Sequence, residues 1–166
     1  MKKWINEYLE IFGDIKYFHL GGDEAYAFAT CDVCKNTSDK FGENKLYADY
    51  LNEIAQPLLE KNIKPGVWCD MILSHPNELD EVSKKFVIWD WNYWDGDSIP
   101  GRVMVWGKGR LAKDKITADI INTFPQIIDR QGNLNAFYTS DYLKEKGYEI
   151  ILCSSSRSYG DGVFAG

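Results

Sequence analysis

The sequence predicts an α/β fold in which parallel strands alternate with helices, and three observations support this. Four apolar runs without period-two alternation indicate strands buried on both faces of a parallel sheet, at residues 15–20, 66–72, 86–91 and 149–153. Helical patterns accompany them at residues 2–12, 44–62 and 140–146. Polar residues follow each apolar run at its carboxyl end. A doubly wound sheet and a section of a barrel both fit this order.

The predicted helices end at residues that favour helix termini. Gly13 follows the first helix, and Gly147 follows the last, for which Ser140 fits as the N-cap. Pro57 should kink the helix at 44–62. The apolar face of the first helix comprises Trp4, Ile5, Tyr8, Leu9 and Phe12.

The region between the third and fourth apolar runs is less regular. Arg102 to Trp106 could form a strand, and Ile116 to Ile128 could be helical as far as Pro125. The 166 residues as a whole fit a single domain, residues 1–166.

Charge and composition exclude several classes of partner. The net charge of −6 argues against nucleic acid and against an anionic membrane surface, since both need a basic face. No apolar run is long enough for a membrane span, and the amphipathic N-terminus is unlike a signal peptide. Together with reduced cysteines this favours a cytoplasmic location. The six Trp, ten Tyr and eight Phe fit either an aromatic core or a site that stacks on sugar rings.

The four cysteines give no clear metal site. Cys31 and Cys34 form a C-x-x-C pair, but no second pair or nearby histidine completes four zinc ligands. A redox role is disfavoured because the pair is not predicted to open a helix after a thioredoxin-like strand. Gly107-Lys108-Gly109 lacks the spacing of a phosphate-binding loop, so nucleotide binding is not expected. We therefore predict no metal and no cofactor.

The polar residues after the strands predict an active site, because the carboxyl ends of parallel strands share one face. Asp23 and Glu24 leave the first strand after Gly21-Gly22, which permits a tight turn. Two carboxylates in an apolar, Trp-lined cleft would have separated pKa values, as an acid and a base in glycoside hydrolysis require. In isolation, the pair could equally be an N-cap and first-turn acid of a helix.

The segment His19-Leu20-Gly21-Gly22-Asp23-Glu24 resembles the H-x-G-G-D-E signature of glycoside hydrolase family 20, the β-N-acetylhexosaminidases. Three later segments resemble the ends of the family's fifth, sixth and seventh barrel strands: Val67 to Asp70, Val87 to Trp94, and Tyr159-Gly160-Asp161. The resemblance is loose between residues 95 and 138, and C-x-x-C is outside the general family pattern. It implies an α/β fold that is a partial (β/α)₈ TIM barrel, roughly half a barrel with parallel strands four to seven.

The resemblance also implies roles for individual residues. Glu24 is expected to be the acid/base, and Asp23 to orient the substrate's 2-acetamido group, which is itself the nucleophile. Tyr159 is expected to hydrogen-bond the acetamide oxygen, and Asp161 to hold a sugar hydroxyl. The remaining expected substrate-binding residues are His19, which packs behind the site, the pocket walls Trp68 and Trp89 or Trp91, and Asp70.

The implied partner is a glycan that contains N-acetylhexosamine. A catalytically silent, sugar-binding half-barrel and a small zinc-dependent module built on Cys31 and Cys34 are the alternatives. Half a barrel has open sheet edges and should expose inner-face side chains such as those of Val67 and Val87. We therefore expect the chain to form a homodimer.

Overall fold

A computed structural model of the protein describes residues 1–92 and 98–153. The helices in this part of the chain are α1 (Lys2–Phe12), α2 (Asp32–Phe41), α3 (Glu43–Leu59), α4 (Asp70–Leu73), α5 (Ala118–Thr123) and α6 (Tyr138–Glu145). The strands are β1 (Tyr17–His19), β2 (Lys64–Trp68), β3 (Val87–Asp90), β4 (Arg102–Val105), β5 (Gly109–Ala112) and β6 (Glu149–Leu152). Short 3₁₀ helices lie at Pro76–Glu81, Lys113–Lys115 and Pro125–Ile127.

The central layer is a four-stranded sheet in the order β1-β2-β3-β6, and each neighbouring pair is parallel. The register pairs His19 with Gly66 and Trp68 with Trp89. The predicted α/β class with parallel strands is confirmed. Within the described residues the sheet is open, with β1 and β6 at its edges.

The strands alternate between two environments, as the two-residue period requires. Val67 of β2, Cys69 directly after it and Ile88 of β3 belong to the buried core that includes α3 and α6. Trp68 and Trp89, which alternate with them, contact each other on the opposite face of the sheet. The sheet thus has a helix-covered face and a face that carries aromatic side chains.

The expectation that Val67 and Val87 are exposed is wrong, since both are fully buried. Val67 points into the helix-covered core. Val87 is in register with Gly66, and the indole nitrogen of Trp89 lies only 2.7 Å from where a Cβ on Gly66 would stand. The large Trp89 side chain therefore covers the middle of the sheet, which the sequence pattern did not reveal.

Two predicted boundaries are wrong, and one helix was not predicted. The second strand ends at Trp68 rather than at Ile72, because the chain turns into the short helix α4. Helix α2 was not predicted, since it is mostly polar and buries none of its residues. Ser140 lies inside α6 rather than at its N-cap, and its hydroxyl donates to Asp90.

The irregular region contains a separate antiparallel hairpin of β4 and β5, so the strand at 102–106 is confirmed apart from its last residue. The segment predicted to be helical from Ile116 as far as Pro125 contains the shorter helix α5, and Pro125 begins a 3₁₀ turn. None of the helices in the described ranges is long and apolar enough to cross a membrane.

Helix α1 buries only Ile5 and Leu9 of its predicted apolar face. Trp4 is 64% exposed and Ile11 74% exposed. Tyr8 and Phe12 are exposed as well. These four residues of α1 form an apolar surface, here called the α1 surface, and Tyr8 contacts Phe18 of the edge strand β1.

We propose that a second copy of the chain covers the α1 surface, because monomers rarely leave such large apolar patches bare. The substitution Ile11→Glu should then shift the protein from dimer towards monomer in light scattering. Val33→Glu on α2 is the matched control, since Val33 is similarly exposed at 77%. A monomeric parent protein, or equal effects of the two substitutions, would contradict the proposal.

Candidate active site

The turn after β1 fixes the direction in which Asp23 and Glu24 leave the sheet. Gly21 and Gly22 have φ values of 77° and 87°, in the left-handed region that favours glycine. The Gly21 carbonyl still accepts a hydrogen bond from the Trp68 N–H at 3.2 Å, which extends the pairing with β2. The strand-like pairing therefore ends at Gly21, and the motif turns away from the sheet at Gly22.

Tyr47 of α3 holds this turn from one side. Its hydroxyl donates to the Gly22 carbonyl at 2.7 Å, and its oxygen lies 2.5 Å from where a Cβ on Gly22 would stand. Burial raises the pKa of Tyr47, and the nearby carboxylates of Asp70 and Asp23 add to the effect. Tyr47 is thus a permanently protonated donor.

Asp70 holds the turn from the other side. Glu24 has a left-handed φ of 49°, which is strained for a residue with a side chain, and its N–H donates to Asp70 Oδ2 at 2.8 Å. The second oxygen, Oδ1, accepts from the Trp91 indole N–H at 3.2 Å. Asp70 is only 2% exposed, and burial raises the pKa of its carboxyl group while these donors oppose the rise. Both carboxylate oxygens accept hydrogen bonds from neighbouring groups, so the geometry makes Asp70 a positioning residue for Glu24. Direct contact of Asp70 with a sugar stays a prediction.

The carboxylates of the motif are accessible. Asp23 and Glu24 are both exposed, and the Tyr26 hydroxyl donates to Glu24 Oε1 at 3.4 Å. No helix in the described part of the chain begins at Asp23, since the next one starts at Asp32. The alternative role as a helix cap therefore does not hold. Tyr26 was missed because it lies two residues beyond the motif that drew attention.

Three aromatic side chains share the face of the sheet at which the motif ends. The His19 ring lies 4.4 Å from the Trp68 ring and 4.9 Å from the Trp89 ring, measured between centroids. The two tryptophans meet edge to face at 6.0 Å. These residues, here called the aromatic group, come together because β1, β2 and β3 are in parallel register.

The tautomer of His19 follows from its hydrogen bond. Its Nδ1 accepts from the Gly21 N–H at 3.0 Å, so the ring proton of the neutral form is on Nε2. Burial lowers the pKa of His19, and the charge of Asp23 opposes this. Within the described residues, His19 Nε2 and Trp89 Nε1 are buried donors with no hydrogen-bond acceptor.

Trp89 and Trp91 have different surroundings, although the sequence offered either one as a wall of the predicted pocket. Trp89 belongs to the aromatic group. Trp91 donates to Asp70 and packs against Trp106, with ring centroids 4.5 Å apart. Of the two, the geometry groups Trp89 with Trp68, as the walls of one pocket would be.

A cavity of about 250 Å³ lies beside the turn, and Tyr26, Asp70 and Trp106 are among its lining residues. A larger cavity of about 360 Å³ lies next to the hairpin and is lined by residues such as Lys108 and Asp119. Among the predicted site residues that the structure describes, Asp70 lines the smaller cavity and none lines the larger one, so we assign the smaller cavity to the candidate site.

Asp90, at the end of β3, belongs to a buried polar cluster on the helix-covered side of the sheet. Asp90 Oδ2 accepts from the hydroxyls of Thr139 and Ser140 at 2.6 Å each, and Oδ1 accepts from the Cys69 thiol at 3.4 Å. Asp90 thus ties α6 to β3 and faces away from the aromatic group. Its role is structural, although its position at a strand end resembled that of the site residues.

The predicted residues Tyr159 and Asp161 lie outside the described ranges, and so do the other polar residues that follow β6. Among the residues the structure describes, no group of three histidine, cysteine or acidic side chains could hold a metal ion.

Comparison with known proteins identifies the family. The family model "Glycosyl hydrolase family 20, catalytic domain" matches residues 1–105. The chain belongs to glycosyl hydrolase family 20. The matched segment contains the H-x-G-G-D-E motif, Trp68, Asp70 and Trp89. In this family-20 chain, the four parallel strands are therefore a section of a (β/α)₈ barrel.

A solved structure also resembles the family-20 chain. The crystal structure of Dispersin B has 22% sequence identity and a TM-score of 0.49, with 91% of this chain covered. The chain covers 32% of that protein, or about a third of its length. No curated protein sequence matched the chain.

The two glycines of the motif predict unequal effects of substitution. Gly21→Ala should destabilise the fold by about 1–2 kcal/mol through the left-handed φ alone, since no atom lies within 4 Å of its Cβ position. Gly22→Ala should cost about 1–3 kcal/mol more, because its Cβ collides with the Tyr47 hydroxyl. Urea unfolding measures both.

A double-mutant cycle separates the collision from the strain. In the Tyr47→Phe background the nearest remaining atom is a ring carbon, 3.7 Å from the Cβ position on Gly22. The extra cost of Gly22→Ala should then largely disappear, while the cost of Gly21→Ala stays the same. Equal costs for both glycines in the parent protein would show that Tyr47 does not hold the turn.

The lowered pKa of His19 predicts a pH dependence of stability. The unfolded chain, with an ordinary histidine pKa of 6.5, binds the proton more readily than the folded chain. The stability contributed by neutral His19 is present above pH 6.5 and is lost as the pH falls through the folded pKa. The free energy of unfolding should therefore fall as the pH drops below about 6.5, and less steeply in His19→Gln. An identical slope in that variant would remove His19 from this role.

Proposed function

We propose that this chain is part of a β-N-acetylhexosaminidase that removes terminal N-acetylhexosamine by substrate-assisted, retaining hydrolysis. One observation carries the proposal. Tyr47 and Asp70 hold the Asp23–Glu24 turn so that two accessible carboxylates stand at the strand ends, where the aromatic group also lies. We also propose that the four strands correspond to barrel strands four to seven and that the catalytic domain is incomplete.

Glu24 supplies the proton in the first step. Its carboxyl group donates to the oxygen of the leaving group, and its carboxylate later accepts a proton from the attacking water. The hydrogen bond from its own N–H to Asp70 supports this role, because it fixes the backbone from which the side chain projects. The Tyr26 hydroxyl lies within reach of the same carboxylate.

Asp23 acts on the substrate's acetamido group. The acetamide oxygen attacks the anomeric carbon as the bond to the leaving group breaks, and the resulting oxazolinium ring carries a positive charge. Asp23 orients the N–H and stabilises this charge, and Tyr159 hydrogen-bonds the acetamide oxygen. Asp161 is proposed to hold a sugar hydroxyl.

The aromatic group suits a neutral sugar. The flat C–H face of a pyranose stacks on an indole plane, which Trp68 and Trp89 provide. The cavity lined by Tyr26 and Trp106 offers space beyond Glu24 for the leaving group.

A catalytically silent sugar-binding half-barrel is the second candidate. The open sheet favours it, because β1 and β6 have no further strand beside them among the described residues. The zinc-dependent module has less support, since Cys31 and Cys34 have no third ligand nearby in the described part of the chain.

Hydrolysis of an aryl N-acetylglucosaminide tests the enzyme proposal. Glu24→Gln should lower kcat by roughly 10²–10⁴-fold with little change in KM, because only proton transfer is lost. Glu60→Gln, at an exposed acid beyond the end of α3, is the control and should retain parent activity. Near-parent turnover by Glu24→Gln on a substrate with a poor leaving group would remove Glu24 from the role.

The substrate-assisted step has its own readout. The matching aryl glucoside, which lacks the 2-acetamido group, should be hydrolysed barely or not at all. Equal rates on the two substrates would exclude the acetamide as nucleophile. If the parent chain hydrolyses neither substrate but N-acetylglucosamine changes its tryptophan fluorescence, the silent sugar-binding protein is the correct alternative.

A further inference from the structure

The C-x-x-C pair lies where the loop from the active site enters a helix. Cys31 is the N-cap of α2, seven residues after Glu24, and its sulfur accepts a hydrogen bond from the Cys34 N–H at 3.3 Å. Cys31 is exposed and Cys34 is partly exposed. The sequence argued against a redox role because the pair was not predicted to open a helix after a thioredoxin-like strand. The structure shows that a helix does begin directly after Cys31, although a loop rather than a strand leads into it.

We propose that Cys31 and Cys34 form a redox-active dithiol, which low-molecular-weight disulfides such as glutathione disulfide oxidise to an internal disulfide. Cys31 is the attacking thiol, and Cys34 resolves the mixed disulfide. This inference is independent of the proposed hydrolase activity.

The geometry allows the bond to form. The two residues are one helical turn apart, a spacing that places side chains on the same face of a helix. The Cys31 sulfur is within hydrogen-bond distance of the Cys34 nitrogen, and that nitrogen is bonded directly to the Cα that carries the second thiol. Closing the disulfide therefore requires side-chain rotation rather than movement of distant backbone.

The electrostatic environment distinguishes the two thiols. The hydrogen bond from the Cys34 thiol lowers the pKa of Cys31, and the backbone N–H of Cys34 acts in the same direction. The same thiol–thiol contact raises the pKa of Cys34. Because the thiolate is the nucleophile, this difference assigns the attack to Cys31.

The exchange balances in two steps. The Cys31 thiolate attacks one sulfur of glutathione disulfide and forms a mixed disulfide, and one glutathione thiolate leaves. The deprotonated Cys34 then attacks the Cys31 sulfur, which releases the second glutathione. The protein loses two protons and two electrons, and one glutathione disulfide is reduced to two glutathione molecules.

The other cysteines are internal controls. Cys69 is fully buried, its thiol donates to Asp90, and burial raises its pKa. Burial raises the pKa of the Cys153 thiol to about 11. Neither is placed to compete with Cys31 for a disulfide in solution.

The first experiment measures disulfide formation in the whole chain. The protein is equilibrated with mixtures of reduced and oxidised glutathione, quenched with acid, alkylated, digested and analysed by mass spectrometry. We expect an internal Cys31–Cys34 bond, with Cys69 and Cys153 alkylated. In Cys34→Ser, the mixed disulfide with glutathione should accumulate at Cys31, and in Cys31→Ser little should form at Cys34.

The second experiment measures alkylation rates at neutral pH. Cys31 should react with iodoacetamide about threefold or more faster in the parent protein than in Cys34→Ala, which removes the hydrogen bond from the thiol. The proposal is overturned if Cys31 reacts at the same rate in both proteins, or if glutathione disulfide gives only persistent mixed disulfides in the parent. If both thiols resist alkylation and a chelator restores their reactivity, the pair binds a metal instead.

Discussion

The hydrogen bond between the Glu24 N–H and the buried Asp70 carboxylate is the contact on which the candidate site depends. Glu24 sits in a left-handed conformation that its side chain disfavours, and a charge-assisted acceptor in a dry environment compensates for that strain. Tyr47 binds the preceding carbonyl from the opposite side. The two contacts come from α3 and from the start of α4, so the direction of the motif is set by elements that follow it in the chain.

The parallel register assembles the other half of the site. His19, Trp68 and Trp89 are far apart in sequence, yet their rings touch because their strands align side by side. Gly66 makes this possible, because a Cβ there would collide with the Trp89 indole. On the helix-covered face, Val67 and Ile88 contribute apolar packing. Asp90 accepts hydrogen bonds there from the Cys69 thiol and from two hydroxyls of α6.

The segment from Glu24 to Cys31 connects the candidate active site to the C-x-x-C pair. At one end is the Glu24 carboxylate, for which we propose proton transfer, and at the other the Cys31 thiol caps α2. Helix α2 buries none of its residues, so its position rests mainly on contacts with α3 and on its cap. The chemistry at Cys31 therefore acts on a weakly packed element close to the active-site loop.

The sequence alone determined the α/β class, the parallel strands and the family motif, because apolar runs and H-x-G-G-D-E are local patterns. It also drew attention to Trp68, Asp70 and Trp89 from their positions at strand ends. Only the tertiary structure decided what each strand-end residue faces: Asp70 turns to the Glu24 backbone, Asp90 to α6, and Trp91 to Asp70 rather than to the aromatic group. It alone also revealed that Cys31 caps a helix, because α2 is a mostly polar helix that buries none of its residues. The physical reason is the same in each case. The direction of a side chain at a strand end depends on contacts with elements that are distant in sequence, and so does the position of a polar helix. No local pattern encodes such contacts.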